Sequence, residues 1–334
     1  MKPYLALWSA LVLAISAGCE NSPEIPANGT GGLNSGSGGS PVTGGSSVTG
    51  GATAATGGNA TGGKATGGTA TGGKAAGGTA TGGAAAGGSG TAGSGATANI
   101  TLWLAGDSTM QNCSSTCPCG WGNQFDPYFN SRVTVTNNAA GGRSIQTWLY
   151  EANVSSNIGS DGECVLTSTT YASRWTNMLS TMKSGDYLFI AFGINDGDST
   201  CPRHVGSARF QTLMTYMVTT AKGVGVNPIL LTPTAAIACS GSTATKNRGF
   251  ITETKAVATA TGVPLIDLNQ LSVDLYNSLG LCPNAADYTS TTSAVGLFFC
   301  ADHTHFEAAG AQQIAGQVAN ALRTQSIPLA AYLN

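Results

Sequence analysis

Short apolar runs rich in β-branched and aromatic residues alternate with segments of helical periodicity from about residue 100 to the end of the chain. The runs predict strands at residues 101–105, 133–136, 187–192, 228–231 and 264–268. The periodic segments predict helices at residues 172–183, 207–222, 246–260 and 307–323. Strands that alternate with helices favour a parallel sheet covered on both faces. Functional residues are then expected where the strands end.

The first 98 residues differ in composition and divide into two parts. Residues 1–19 combine Lys2, an apolar stretch too short to span a bilayer and small residues before Cys19, which is typical of an export signal. Cys19 is placed like the lipidated cysteine of a bacterial lipoprotein, although Ser16 replaces the usual branched aliphatic residue; ordinary secretion with cleavage nearby is the alternative. The sequence predicts lipidation at Cys19.

Residues 20–98 are dominated by Gly, Ser, Thr and Ala, with repeated Ala-Thr-Gly-Gly units. Such a segment cannot bury enough apolar surface to offset its conformational entropy, so it predicts a disordered linker. The remaining residues, 99–334, are numerous enough for one domain with a substantial core.

Charge and cysteine content exclude several classes of protein. The chain has 14 Lys and Arg against 16 Asp and Glu, and no basic stripe, so we expect no nucleic-acid partner. Eight of the nine cysteines lie in the domain, which favours disulfides in an exported protein. The alternative is zinc at Cys117 and Cys119, but their spacing suits structural zinc poorly. We expect no metal, and we expect Cys282 to pair with Cys300 around one loop.

Two motifs far apart in the chain fit together as one site. Gly-Asp-Ser-Thr-Met at residues 106–110 follows the first predicted strand, and Asp-His-Thr-His at residues 302–305 precedes the last predicted helix. A serine nucleophile needs an imidazole to take its proton and a carboxylate to orient that imidazole. Each motif alone has a simpler explanation, since such a serine commonly caps a helix and such a histidine commonly lies at the surface.

Two further blocks strengthen the joint interpretation. They are Asn-Ala-Ala-Gly-Gly-Arg-Ser at residues 138–144 and Phe-Gly-Ile-Asn-Asp-Gly at residues 192–197. Ser108, Gly142 and Asn195 each follow a predicted strand, so all three are expected at the same edge of the sheet.

Together these blocks resemble those of the SGNH (GDSL-type) hydrolases, and within that group the rhamnogalacturonan acetylesterases. The resemblance covers about residue 100 to the end. It implies an α/β fold of three layers, α/β/α, around a parallel, flavodoxin-like central sheet of about five strands. It also implies Ser108 as nucleophile, His305 as base and Asp302 as its partner. The implied oxyanion hole comprises the backbone N–H groups of Ser108 and Gly142 and the side chain of Asn195.

The sequence departs from the family pattern in ways that bear on substrate binding. Ile194 stands where these esterases commonly carry His, and residues 154–171, including Cys164, look inserted. Arg143 is a candidate ligand for an acidic sugar, or a structural partner of a nearby Asp. Trp121 is a candidate sugar-stacking residue, although aromatic residues of this size more often fill cores.

We therefore expect a serine esterase, exported and either lipid-anchored at the cell surface or extracellular. Its expected substrate is an acetylated plant cell-wall polysaccharide such as rhamnogalacturonan, pectin or xylan. No cofactor is expected because the protein itself activates the nucleophile. We expect a monomer that contacts the membrane only through Cys19. The alternatives are a GDSL-type lipase, phospholipase or thioesterase, and a non-catalytic carbohydrate-binding module.

Overall fold

The computed structural model describes residues 98–113, 117–283 and 293–334. The predicted export signal, the lipidation of Cys19 and the predicted linker up to residue 97 lie outside the described residues. Those predictions stay predictions. Within the described part, no helix combines the length and the apolar character needed to cross a membrane.

Strands and helices alternate through most of the described chain. The strands are β1 (Ile100–Gly106), β2 (Val133–Asn137), β3 (Val154–Ile158), β4 (Cys164–Leu166), β5 (Tyr187–Ala191), β6 (Asn227–Leu231), β7 (Cys239–Ser240), β8 (Thr243–Ala244) and β9 (Leu265–Ile266). The α-helices are α1 (Ile145–Tyr150), α2 (Ser173–Thr181), α3 (Ser207–Gly223), α4 (Ile251–Thr261), α5 (Leu268–Ser278), α6 (Ala294–Phe298) and α7 (Ala308–Thr324). Short 3₁₀ helices occur at Trp121–Gln124, Asp126–Tyr128, Glu151–Asn153 and Pro328–Tyr332.

Five strands form the central sheet in the order β2-β1-β5-β6-β9, and all neighbours are parallel. Numbered among themselves these strands run 2-1-3-4-5, the flavodoxin-like order. In this register Leu102 of β1 lies opposite Val135 of β2 and Tyr187 of β5. The predicted parallel five-stranded sheet is confirmed. The strands β3 and β4 form a separate antiparallel hairpin, within the segment identified as inserted.

Alternate residues of each central strand contribute to two separate apolar cores. Leu102 and Leu104 of β1 face the core that also contains side chains of α5, α6 and α7. Trp103 and Ala105 face the opposite core, built with α1, α2, α3 and α4. Helices therefore cover both faces of the sheet, which confirms the predicted three-layer α/β/α fold.

The last strand of the central sheet is shorter than the sequence predicted, because α5 begins within the predicted strand. Residues 264–268 were expected to form one strand, but β9 ends at Ile266 and α5 begins at Leu268. Asp267 separates the two elements, because its carboxylate accepts hydrogen bonds from the Gln270 N–H and the Thr232 hydroxyl. Asp at a helix N-cap satisfies backbone donors that have no partner within the helix. The strand therefore ends immediately before this N-cap aspartate and does not continue to residue 268.

All eight cysteines of the domain are paired in disulfides, as the sequence favoured. The pairs are Cys113–Cys119, Cys117–Cys300, Cys164–Cys201 and Cys239–Cys282. The suggested pairing of Cys282 with Cys300 is wrong. The backbone N–H of Cys119 donates to the Phe306 carbonyl at 2.9 Å, so the segment that carries Cys300 runs beside residues 117–119.

We predict that non-reducing peptide mapping will recover one peptide linked through Cys239 and Cys282 and another through Cys117 and Cys300. Alkylation of the denatured domain without reductant should label none of the eight domain cysteines, whereas prior reduction should expose all of them. A linked peptide containing Cys282 and Cys300 would contradict the structure.

Candidate active site

The four sequence blocks meet at the carboxyl edge of the central sheet. Ser108 follows the end of β1 at Gly106, and Asn195 follows the end of β5 at Ala191. The loop after β2 supplies Gly142, and the segment before α7 supplies Asp302 and His305. Parallel neighbouring strands end at the same edge, so chain segments far apart in sequence converge there.

Ser108, His305 and Asp302 form one continuous chain of hydrogen bonds. The Ser108 Oγ atom lies 2.7 Å from His305 Nε2, and His305 Nδ1 bonds to Asp302 Oδ2. The other carboxylate oxygen, Asp302 Oδ1, accepts the backbone N–H groups of Thr304 at 3.0 Å and His305 at 2.9 Å. The carboxylate therefore holds both the ring and the backbone of His305.

These bonds also determine the charge state of Asp302. Partial burial acts to raise the pKa of Asp302, but the hydrogen bonds from the His305 ring and from the two backbone N–H groups outweigh it. The net effect holds the pKa of Asp302 below its ordinary value of 3.8. Asp302 is therefore ionised at neutral pH.

The loop that carries Asp302 and His305 is braced from a second side. The guanidinium of Arg248 donates to the Thr304 hydroxyl at 3.1 Å and to the Thr234 carbonyl at 3.2 Å. The backbone N–H of Ile237 donates to the carbonyl of His303, whose φ of 66° is in the left-handed region. Thr234 and Ile237 both follow β6, so the sheet itself positions the loop.

The turn at Ser108 depends on the residue before it. Asp107 is buried, and its carboxylate accepts the Thr109 N–H at 2.9 Å and the Thr109 hydroxyl at 2.8 Å. Burial raises the pKa of Asp107, while the Thr109 bonds and the charge of Arg248 act in the opposite direction. Gly106 is the last residue of β1. A Cβ there would lie 2.9 Å from the Ala191 carbonyl oxygen, so this close approach requires glycine.

Two backbone N–H groups beside the serine have no acceptor among the described residues. They belong to Ser108 and Gly142. Gly142 has a φ of 68°, a left-handed conformation that glycine adopts without strain. Gly142 is exposed, so water can accept from its N–H until another oxygen atom takes its place. This pair of donors is therefore available to an incoming oxygen atom.

The side chain of Asn195 reaches the same loop. Its Nδ2 atom donates to the Arg143 carbonyl at 3.1 Å, so the blocks at residues 138–144 and 192–197 are in direct contact. The neighbouring Asp196 strengthens this contact, because its buried carboxylate accepts the Ile145 N–H and the Gly193 N–H, both at 2.8 Å. The sequence alone gives no signal for the bond across to Ile145.

Asp196 is a buried carboxyl group with a raised pKa next to the site. Complete burial raises its pKa to about 7, even though the two backbone N–H groups favour the ionised form. A buried carboxyl group with two backbone donors is a structural clamp, since removing it would leave both donors unsatisfied. No sequence signal distinguishes such a clamp from an ordinary turn aspartate.

The structure places the three predicted substrate-binding residues in different surroundings. Ile194 is half-buried and lines a cavity of about 380 Å³ together with Asn195, Arg203 and Arg248. Arg143 is also half-buried, and neither Asp107 nor Asp196 accepts a hydrogen bond from its side chain. The structural alternative for Arg143, a bond to one of these aspartates, is therefore not observed.

The prediction that Trp121 contacts substrate is wrong. Its side chain is fully buried, with its ring centroid 5.5 Å from that of Phe125 in an edge-on arrangement and 6.4 Å from that of Phe189. Trp121 belongs to the apolar core between the sheet and α7. The preference of large aromatic residues for cores prevails here over their use as sugar platforms.

One group of described residues has the proximity of a metal site, comprising Cys117, Cys300 and Glu307. The two sulfur atoms are joined in a disulfide, so neither is a thiolate ligand. The arrangement at Ser108 is instead suited to nucleophilic catalysis, because a hydroxyl group, an imidazole and a carboxylate are connected in the required order.

Comparison with known proteins identifies the protein family. Residues 85–318 match the model of the GDSL-like lipase/acylhydrolase family. The chain is 27% identical over 233 residues to a probable rhamnogalacturonan acetylesterase, YesY, of Bacillus subtilis, covering 68% of this chain and 94% of that protein. A rhamnogalacturonan acetylesterase of Emericella nidulans is 25% identical over 253 residues, covering 69% of this chain and 87% of that protein.

A solved structure shares the fold. The crystal structure of the Bacillus subtilis protein YxiM superposes with a TM-score of 0.53 at 27% identity, covering 69% of this chain and 58% of that chain. The fold and site define an α/β hydrolytic enzyme of the SGNH class. The chain belongs to the GDSL-like lipase/acylhydrolase family, and it is an esterase.

Replacing Asp302 tests the hydrogen-bond chain directly. We predict that Asp302→Asn will lower kcat for a small ester about 10⁴-fold with the fold intact, because an amide neither stabilises the imidazolium nor selects its tautomer. The matched control is Asp274→Asn, which alters an exposed carboxylate on α5 whose one hydrogen bond among the described residues comes from the Gln270 side chain. The test measures steady-state kinetics and thermal melting of both variants. A loss of kcat of less than tenfold in Asp302→Asn would contradict the assignment of Asp302 as the partner of His305.

Proposed function

We propose that this esterase removes acetyl groups from a plant cell-wall polysaccharide such as rhamnogalacturonan, pectin or xylan. The observation that carries the proposal is the hydrogen-bond chain from Ser108 through His305 to Asp302. The relatives named as rhamnogalacturonan acetylesterases support the choice of acetyl over longer acyl groups. They also support a pectic substrate.

In the proposed reaction, Ser108 Oγ attacks the carbonyl carbon of the acetyl ester while His305 Nε2 takes the hydroxyl proton. The tetrahedral intermediate then collapses, and His305 returns the proton to the departing sugar oxygen. This step leaves an acetyl group on Ser108. Water, deprotonated by His305 in turn, attacks that ester, and His305 then returns the proton to Ser108 Oγ as acetate leaves. Asp302 stays ionised throughout and offsets the charge of the imidazolium.

The negative charge on the carbonyl oxygen requires donors already in place. We assign the unpaired backbone N–H groups of Ser108 and Gly142 and the Nδ2 group of Asn195 to this role. Each strong donor of such a hole lowers the barrier by about 3–4 kcal/mol. The residues need not move, because the bonds of Asn195 to Arg143 and of Asp196 to Ile145 hold the two loops together before substrate arrives.

The surroundings of the site favour a short acyl group. The cavity beside Asn195 is lined by Gly193, Gly197, Asp198, Arg203, Asn247, Arg248 and Gly249, and Ile194 is its one large apolar side chain. A long acyl chain requires an extended apolar channel to repay the transfer of its methylene groups from water. A sugar-rich substrate suits a polar cavity better.

The remaining parts of the proposal concern where the enzyme works. We infer that residues 1–19 direct export, that Cys19 carries a lipid anchor and that residues 20–98 tether a monomeric domain to the cell surface. Four disulfides in the domain are typical of an exported protein. A Gly-rich coil of this length spans about 45–50 Å, which would give an anchored enzyme reach over a polymer surface.

An acyl-chain series tests the substrate class. We predict that kcat/KM on nitrophenyl esters will be highest for acetate and will fall at least tenfold by octanoate. Acetate release from acetylated rhamnogalacturonan, xylan and mannan would then identify the polymer, with Ser108→Ala as the control for enzyme-independent release. Highest activity on octanoate would favour the lipase alternative, and polysaccharide binding without turnover would favour a binding module.

Deleting residues 20–98 tests the proposed tether. We predict that the shortened protein will keep its kcat on a soluble ester and melt within about 2 °C of the longer form, because β1 begins at Ile100. Any deficit should appear only on insoluble polysaccharide when the enzyme is displayed on cells. A tenfold loss of kcat on the soluble ester would show that the segment is part of the folded enzyme.

A further inference from the structure

The inserted hairpin is covalently linked to the loop that follows Asn195. We call residues 198–206 the Arg203 loop. Cys201, within this loop, forms a disulfide with Cys164 on the hairpin strand β4. Cys164 is fully buried, and its carbonyl accepts a hydrogen bond of 2.9 Å from Arg209 of α3. The hairpin therefore joins the start of α3 to the loop beside the candidate active site.

Non-covalent contacts reinforce this link. The Glu163 carboxylate on the hairpin accepts the backbone N–H of Gly206 at 3.0 and 3.1 Å, at the end of the Arg203 loop. Within the loop, Asp198 accepts the Thr200 N–H at 3.0 Å and the Thr200 hydroxyl at 2.8 Å. The His204 ring nitrogen Nδ1 lies 2.7 Å from the Asp198 carbonyl oxygen. The Arg203 loop is thus restrained at both ends and internally.

Arg203 connects this restrained loop to Asn195. Its Nη2 atom forms an ion pair with Asp198, and its Nη1 atom donates to Asn195 Oδ1 at 3.4 Å. Asn195 Nδ2 in turn donates to the Arg143 carbonyl at 3.1 Å. An amide rotated by 180° would place its NH₂ group against the guanidinium, donor against donor. Arg203 therefore selects the orientation of the amide in which its NH₂ group faces the loop of Gly142.

We infer that Arg203 is a positioning residue for the oxyanion hole, and that the hairpin Val154–Leu166 holds it in place through the Cys164–Cys201 disulfide. The inference rests on the proposed role of Asn195 as an oxyanion donor. Arg203 acts through Asn195 and does not touch the reacting atoms. The sequence alone assigned no function to the inserted segment. Through Arg203 this segment has a role in catalysis.

A double-mutant cycle of Arg203 and Asn195 tests this inference on nitrophenyl acetate. Asn195→Ala should lower kcat about 10²–10³-fold with little change in KM, because an oxyanion donor acts mainly in the transition state. Arg203→Met should lower kcat about three- to tenfold with KM within twofold, the scale of one side-chain hydrogen bond. In the Asn195→Ala background, Arg203→Met should have no further effect, because the group it orients is gone.

Three further variants separate positioning from general stability. Arg203→Lys keeps a donor and should restore at least half of the lost kcat. Arg323→Met is the matched control, since Arg323 donates to the Asn334 carbonyl near the end of α7, away from the site, and its kcat should be unchanged. The pair Cys164→Ser with Cys201→Ser should reproduce the kcat loss of Arg203→Met; if this variant does not fold, the Arg203 cycle still decides.

The outcomes are distinct. An unchanged kcat in Arg203→Met, or an equal loss in both backgrounds, would overturn the inference while leaving the proposed mechanism intact. Full activity of Asn195→Ala would instead overturn the assignment of Asn195 as an oxyanion donor, and the inference with it.

Discussion

The hydrogen bond between Ser108 Oγ and His305 Nε2 is the contact on which the rest of the site depends. Its length is 2.7 Å, and it joins residues 197 positions apart in the sequence. Local structure alone cannot bring these two residues together. The five-stranded parallel sheet brings Ser108 to its carboxyl edge, and the Cys117–Cys300 disulfide and the Arg248 bond to Thr304 hold the returning segment beside it.

Carboxylates that accept backbone N–H groups build most of this edge. Asp302 orients His305, Asp107 shapes the turn at Ser108, and Asp196 joins the two loops that carry Gly142 and Asn195. Such bonds do two things at once: they satisfy donors that would otherwise be buried without partners, and they fix loop geometry to within the tolerance that catalysis needs.

The parts predicted from the sequence are those with a local signal. Alternating apolar residues identified the strands, and the blocks at residues 106–110, 138–144, 192–197 and 302–305 identified the edge at which they meet. Contacts between distant segments had no such signal. The partners of Cys282 and Cys300, the burial of Trp121, and the bond from Ile145 to Asp196 all depend on which loops become neighbours after folding.

The end of β9 shows a different limit. Leu265, Ile266 and Leu268 are apolar, so the apolar pattern alone extends the strand to residue 268, but the Asp267 side chain provides an N-cap and the chain turns into α5. A capping residue inside an apolar run is a weak signal until the positions of the donors that bond to it are known.

The most direct measurement is the rate and position of labelling by a serine-directed phosphonate. The account predicts that the label will be found on Ser108 alone and that His305→Ala will abolish it, because the imidazole takes the proton of the serine hydroxyl. Labelling at another residue, or labelling of Ser108 at an unchanged rate in His305→Ala, would contradict it.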